Sequence, residues 1–101
     1  MATLKARLAA RDALLAALRE ADYHPDMRWD PVHSPVGNVP AFVVFKAEKM
    51  LAIVNELRTE KGLSAATLEQ VLQVERSASG HSDYPDKYAL RCAFLALGEE
   101  D

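Results

Sequence analysis

Apolar residues at helical spacing divide the chain into four predicted helices. In the first, Leu4, Leu8, Leu15 and Leu18 recur at intervals of three, four or seven residues, while charged side chains occupy much of the remaining surface. The alanines between them keep this helix thin, so that a neighbouring helix can approach closely. The pattern predicts a helix over residues 3–21.

The second predicted helix ends at Gly62, a residue suited to a left-handed C-cap. At its start, Asn38 is a favourable N-cap residue and Pro40 fits the first helical turn. The apolar run over residues 42–45 is also compatible with a short strand, because such runs are ambiguous by period alone. The apolar spacing farther along favours a helix.

The third helix is predicted to follow Gly62 closely, with Ser64 as its N-cap residue and Leu63 packed against Leu68 as a hydrophobic staple. The helical pattern is expected to end over residues 77–80. The predicted buried side carries Leu68, Val71 and Leu72, and the outer side carries Glu69, Gln70 and Gln73.

The fourth helix is the most apolar, since Arg91 is the one charged residue among its last ten. Ser82 or Asp83 is expected to cap its start, and Gly98 to close it. A helix that is apolar on nearly every side must be covered on nearly every side. We expect its three companions to cover only part of it, which predicts a second copy or a foreign protein against the remainder.

These elements predict a single all-α domain over residues 1–101, a compact bundle of about four helices. A long proline-rich loop over residues 22–38 separates the first two helices, because its prolines forbid a continuous helix. Trp29 lies in this loop. It is expected either to pin the loop to the core or to serve as an exposed anchor for a partner.

Composition narrows the function classes. A net charge of -3 is too balanced for a protein that binds nucleic acid with its whole surface. Charged residues interrupt the leucines near the N-terminus, so no signal peptide or membrane span is predicted, and we expect a cytoplasmic protein. Cys92 is a lone cysteine inside a predicted helix, which indicates a buried apolar role and a reducing compartment.

Catalytic residue types occur together at His81, Ser82 and Asp83. Adjacent positions do not readily form a triad, because the serine must face the imidazole while the carboxylate orients its other edge. Helix capping accounts for Ser82 and Asp83. We therefore predict no catalytic residue, no cofactor and no enzymatic activity.

The proline-rich loop gathers two imidazoles and two carboxylates, a set that zinc or another divalent ion would accept. These are His24, Asp26, Asp30 and His33. Their spacing matches no established site, so no metal site is predicted, and a metal-dependent enzyme is kept as a third hypothesis.

A stripe on the fourth helix is the main candidate for partner binding. Tyr84, Tyr88, Arg91 and Leu95 share one helix face at spacings of four, three and four. Tyrosine and arginine are enriched at the centres of protein interfaces. The alternative is that the stripe forms an inner edge of the core, with Arg91 extending to water.

Residues 57–79 resemble the helix-turn-helix of phage-repressor and Cro-type regulators. The resemblance is carried by a Lys-Gly-Leu-Ser start at residues 61–64, by spaced apolar residues and by an Arg-Ser pair at residues 76–77. It implies a turn near Gln73, where the family has glycine, and a DNA-reading helix that would begin at Ser77. Charges over this region cancel, which disfavours nucleic acid as the partner.

Residues 80–98 are similar to segments of small phage and prophage proteins, which implies a mobile-element origin. Our leading hypothesis is a non-enzymatic, self-associating protein, expected to be a dimer, that occupies a protein surface through the Tyr84 to Leu95 stripe or Trp29. A phage inhibitor or accessory protein would fit. The alternative is a helix-turn-helix transcriptional regulator.

Overall fold

The computed structural model describes residues 3–27 and 39–99 and contains four helices within them. These are α1 (Leu4–Asp22), α2 (Ala41–Glu60), α3 (Leu68–Ala78) and α4 (Tyr84–Ala96). The predicted all-α bundle is confirmed. The apolar run over residues 42–45 is helical, because it forms the first turns of α2.

Several predictions for the proline-rich loop fall outside the described residues. They concern Trp29, Asp30, His33 and Asn38. At the start of α2, Pro40 is the N-cap residue and lies just before the first turn, where we had expected it to lie within that turn. The correction is one residue, since Pro40 has an extended ψ of 146° and the helical backbone begins at Ala41.

The core lies where α4 meets the other three helices. Buried positions of α4 recur at helical spacing and are mostly small, which lets α1 and α2 approach closely. Around them pack Leu14 of α1, Met50 and Val54 of α2, and Val71 of α3, each completely buried. α4 contacts α1 more extensively than it contacts α2 or α3.

The start of α3 differs from the prediction. Thr67 is the N-cap residue, because its hydroxyl accepts from the Gln70 amide at 3.2 Å while the Gln70 side chain accepts from the Thr67 amide at 2.8 Å. This capping box places the helix start three residues after Ser64. Asn55 of α2 fixes the intervening segment, since its side chain donates to the Ala66 carbonyl at 3.2 Å and accepts from the Ala66 amide at 2.7 Å.

Both predicted glycine C-caps are confirmed. Gly62 and Gly98 have φ values of 72° and 75°, in the left-handed region that glycine adopts without steric cost. The amide after each glycine reaches back to the last turn of its helix, as in a Schellman motif. Leu63 donates to the Arg58 carbonyl and Glu99 to the Phe94 carbonyl, each at 2.8 Å.

The two helix ends also touch, which yields a stability prediction. A Cβ at Gly98 would lie 2.8 Å from Leu63 Cδ1, whereas a Cβ at Gly62 would have no neighbour within 4 Å. Gly62→Ala should lower the free energy of unfolding by about 1 to 2 kcal/mol, the backbone cost alone. Gly98→Ala should cost more, because Leu63 must also move. Urea unfolding of both variants checks this, and equal losses would contradict it.

Among the described residues, none of the four helices combines sufficient length and apolar character to span a membrane.

Candidate functional site

The predicted stripe on α4 is not one continuous surface. Tyr88 is 0% exposed and belongs to the core, so the prediction that it contacts a partner is corrected for this conformation. Tyr84, Arg91 and Leu95 are each half-buried. Tyr88 fits the alternative given above, an inner edge of the core, because the side of α4 that carries Tyr88, Cys92 and Ala96 faces inward.

Tyr84 is held beside α3. Its hydroxyl donates to Glu75 Oε2 at 3.0 Å, and its ring lies 5.7 Å from the Tyr88 ring between centroids. Burial raises the pKa of Tyr84, and the nearby Glu75 carboxylate raises it further because a phenolate there would meet a like charge. Tyr84 therefore joins two helices, and only part of its ring faces water.

The outward ridge of α4 is a different set of residues. Lys87, Leu90, Arg91 and Phe94 recur at helical spacing opposite the buried line, and each is half-buried. We call these four residues the α4 ridge. It carries an arginine and an aromatic ring, Arg91 and Phe94, which are residue types enriched at interface centres.

A groove runs along each side of the α4 ridge. The α1–α4 groove has a volume of about 390 Å³ and the α3–α4 groove about 360 Å³. Arg91 and Phe94 line both, so the two grooves meet across the ridge. In the α3–α4 groove, the Arg91 guanidinium lies 3.5 Å from the Ser77 hydroxyl.

α1 adds exposed apolar surface next to the first groove. Leu4 is 69% exposed and Leu8 is 38% exposed. They flank Arg7, which forms an ion pair with Glu99 at 2.9 Å and has its guanidinium carbon 5.7 Å from the centroid of the Phe94 ring. The two leucines, the α1–α4 groove and the α4 ridge together form what we call the α1–α4 face.

Charges of both signs line the α1–α4 groove. Arg11, Lys87 and Arg91 are basic, whereas Asp83 and Asp86 are acidic. Arg11 also pairs with Asp12 at 2.9 Å on the exposed side of α1. The groove therefore carries charges of both signs, and Leu90 and Phe94 contribute apolar walls.

Residues 81–83 lie in the segment that leads into α4. All three are exposed, and the His81 ring has its Nε2 atom 3.3 Å from Lys87 Nζ. Asp83 is the N-cap residue of α4, as expected, although its side chain makes no capping hydrogen bond. Pro85 follows in the first turn of the helix, where a missing amide donor costs nothing.

The candidate metal ligands are only partly described. The His24 ring accepts a hydrogen bond from the Asp26 amide at 3.1 Å and lies 5.4 Å from the Phe45 ring between centroids. Through these contacts His24 joins the turn that follows α1 to the first turns of α2. Within residues 3–27 and 39–99, no three His, Cys, Asp or Glu side chains gather closely enough to hold a metal ion.

Cys92 is completely buried on the inner side of α4. Burial raises the pKa of its thiol to about 12, because the thiolate would lose its hydration. The thiol therefore stays protonated at neutral pH, in agreement with the packing role expected of it.

The region that resembles a helix-turn-helix is built differently. α3 continues without interruption through Gln73, where the resemblance implies a turn, and Ser77 lies in its last turn. The next helix begins at Tyr84. Residues 68–78 therefore form one continuous helix, and an irregular segment precedes it.

Sequence reasoning missed most residues of the α1–α4 face. Leu90 and Phe94 belong to the helix that the sequence shows as apolar on nearly every side, and Leu4 and Leu8 belong to the apolar spacing that predicts α1. A signal was available, since Lys87 and Arg91 are the two basic residues of α4 and the charged side of a helix faces water. The line through them marks the outward ridge.

The chain was compared with known proteins at three levels. No protein-family model, no curated protein and no solved structure matches it.

Proposed function

We propose that this chain is a non-enzymatic protein-binding module that engages its partner through the α1–α4 face. The observation that carries the proposal is the position of Leu4 and Leu8. They are two of the three large apolar residues that are exposed among the described residues, and they lie on α1, the helix whose Arg11 lines the α1–α4 groove of mixed charge. Contiguous apolar surface rimmed by charge is typical of interaction sites.

The composition of the face supports the same function. Arg91 and Phe94 line both grooves, and the face also carries two exposed leucines and charged groups of both signs. Interfaces commonly gain most of their affinity from a few central aromatic or arginine side chains, with a polar rim around them. The third exposed apolar residue, Tyr23, lies at the opposite end of α1 and provides an internal comparison.

Within this class, the narrower proposal is a cytoplasmic inhibitor or accessory protein of a phage or another mobile element. It follows from the similarity of residues 80–98 to phage and prophage segments. The alternative, a DNA-binding regulator, stays a prediction. A gel-shift series from low to high salt checks it, and no retardation at low salt would contradict it.

The proposed function is tested by capture from a lysate of the native host, with the full chain as bait. We expect the wild-type chain and Arg76→Glu to retain the same foreign protein, and Arg91→Glu to lose at least tenfold of it. Arg76 is the matched control because it undergoes the same charge change at an exposed α3 position outside both grooves.

Circular dichroism of the three baits establishes that each is folded. If Arg91→Glu retained as much of the captured protein as Arg76→Glu, the α1–α4 face would not be the binding surface. If the wild-type chain retained no foreign protein, the proposal of a foreign partner would be wrong.

A further inference from the structure

We propose that the α1–α4 face binds a second copy of this chain in a twofold-symmetric dimer. In this arrangement, the α4 ridge of each copy packs into the α1–α4 groove of the other. The inference uses the face identified under the proposed function and therefore depends on that assignment of the surface. It identifies the occupant of the face in the free protein as a second copy, which a foreign partner would have to displace.

Shape is the first argument for a second copy. A twofold interface places the same patch of both molecules in contact, so the patch must contain both a protrusion and a recess. The α1–α4 face contains both, because the ridge of Leu90, Arg91 and Phe94 borders a groove of about 390 Å³. Packing of helix ridges into grooves is the usual mode of helix association.

Charge is the second argument, and it distinguishes a second copy from other occupants. The groove presents Arg11, Lys87 and Arg91 together with Asp83 and Asp86. The two aspartates would repel a strongly acidic partner, and the three cations would repel a strongly basic one. A second copy carries both signs, so each charge has an opposite charge available across the interface.

The exposed leucines are the third argument. Arg7 and Arg11 form a row along α1, in which Arg7 contacts the Phe94 ring and Arg11 lines the groove. Leu4 and Leu8 lie one helical turn apart on the solvent side of this row. Around a twofold axis, this row and the α4 ridge of the partner copy approach each other. Both copies then cover apolar surface that a single chain leaves in water.

The test measures molar mass by light scattering over a concentration series. We expect the wild-type chain to approach twice its 11.1 kDa mass. Leu8→Glu and Arg91→Glu should each raise the dimer dissociation constant at least about tenfold, because every substitution acts twice in a symmetric interface. Arg76→Glu, which lies outside both grooves, should dimerise like the wild type.

A second measurement does not depend on variants. In a mixture of isotope-labelled and unlabelled chains, intermolecular NOEs should connect the ring of Phe94 with the methyl groups of Leu8 or Leu90. The weakest specific complexes have dissociation constants on the order of 1 mM. A wild-type chain that is still monomeric at such a concentration would overturn the dimer. Dimerisation that survives both interface substitutions, or NOEs confined to other surfaces, would also overturn it.

The outcomes for the two proposals are separable. If the chain is monomeric but Arg91→Glu still abolishes capture of a foreign protein, the second copy is wrong and the proposed function stands. If the chain dimerises through this face and captures no foreign protein, the dimer is supported and the foreign partner is wrong.

Discussion

Tyr88→Ala is expected to lower the free energy of unfolding by about 3 to 5 kcal/mol, the cost of removing a large aromatic side chain from a packed core. Tyr88 is completely buried and packs within the cluster that joins all four helices. Domains of this size are commonly stable by about 5 to 15 kcal/mol, so this variant should be close to unfolding. Urea denaturation followed by circular dichroism measures the loss.

Tyr88→Phe is the matched control because it keeps the ring and removes only the hydroxyl. That hydroxyl is buried and has no hydrogen-bond partner among the described residues, and burial raises its pKa above the ordinary value for tyrosine. Removing an unpaired buried hydroxyl should leave stability unchanged or raise it by about 1 kcal/mol. A loss above about 1 kcal/mol would show that the hydroxyl is bonded in solution.

This pair of variants also changes how an association experiment should be interpreted. The sequence places Tyr88 in the candidate binding stripe, and a residue in that role would be expected to affect binding while leaving the helices intact when its side chain is removed. The buried position of Tyr88 predicts the opposite order of effects, since the fold should weaken first. Arg91 and Leu8 are therefore the better positions at which to separate association from folding.

Arg58→Ala is expected to lower the free energy of unfolding by about 3 kcal/mol. The guanidinium of Arg58 donates to the Ser64 carbonyl through Nε and to the Leu95 carbonyl through Nη1, each at 2.6 Å. Hydrogen bonds from charged donors contribute about 1.5 to 3 kcal/mol each, and solvent near the exposed Ser64 bond reduces its share. Thermal unfolding or urea denaturation measures the loss.

The control for this prediction is Arg58→Lys, which retains the charge. A lysine ammonium is a compact donor and does not reproduce the planar fork that reaches two carbonyls, so we expect an intermediate loss. Arg76→Ala, at an exposed position, should change stability by less than about 0.5 kcal/mol. A similarly small effect of Arg58→Ala would contradict the role given to its two hydrogen bonds.

The number and order of helices could be predicted because local signals coincide there. Gly62 and Gly98 each follow an apolar periodic segment, and both occupy the left-handed positions that end α2 and α4. The start of α3 was harder, because Ser64 and Thr67 are both good N-cap residues. The choice depends on Gln70, which completes the capping box, and on Asn55, which binds Ala66 from another helix.

The candidate site was predicted less well than the fold, for a physical reason. Spacing shows that Tyr84, Tyr88 and Leu95 share a side of α4, but it does not show which side faces inward when most sides are apolar. The small residues of α4 decide this, because Ala89, Ala93 and Ala96 allow other helices close approach. The larger Phe94 is left at the surface by the same packing.

The ion pair of Arg7 with Glu99 brings the first turns of α1 beside a residue three positions beyond the end of α4. A flexible bridge of about six Gly or Ser residues spans roughly 13 Å, which suits the proximity of the start of α1 to Glu99. The order of the helices along the chain can then be permuted, with α4 leading into α1 and new termini opened at the exposed turn around Gly80. The helices would then keep their positions in the bundle although they follow one another in a different order along the chain.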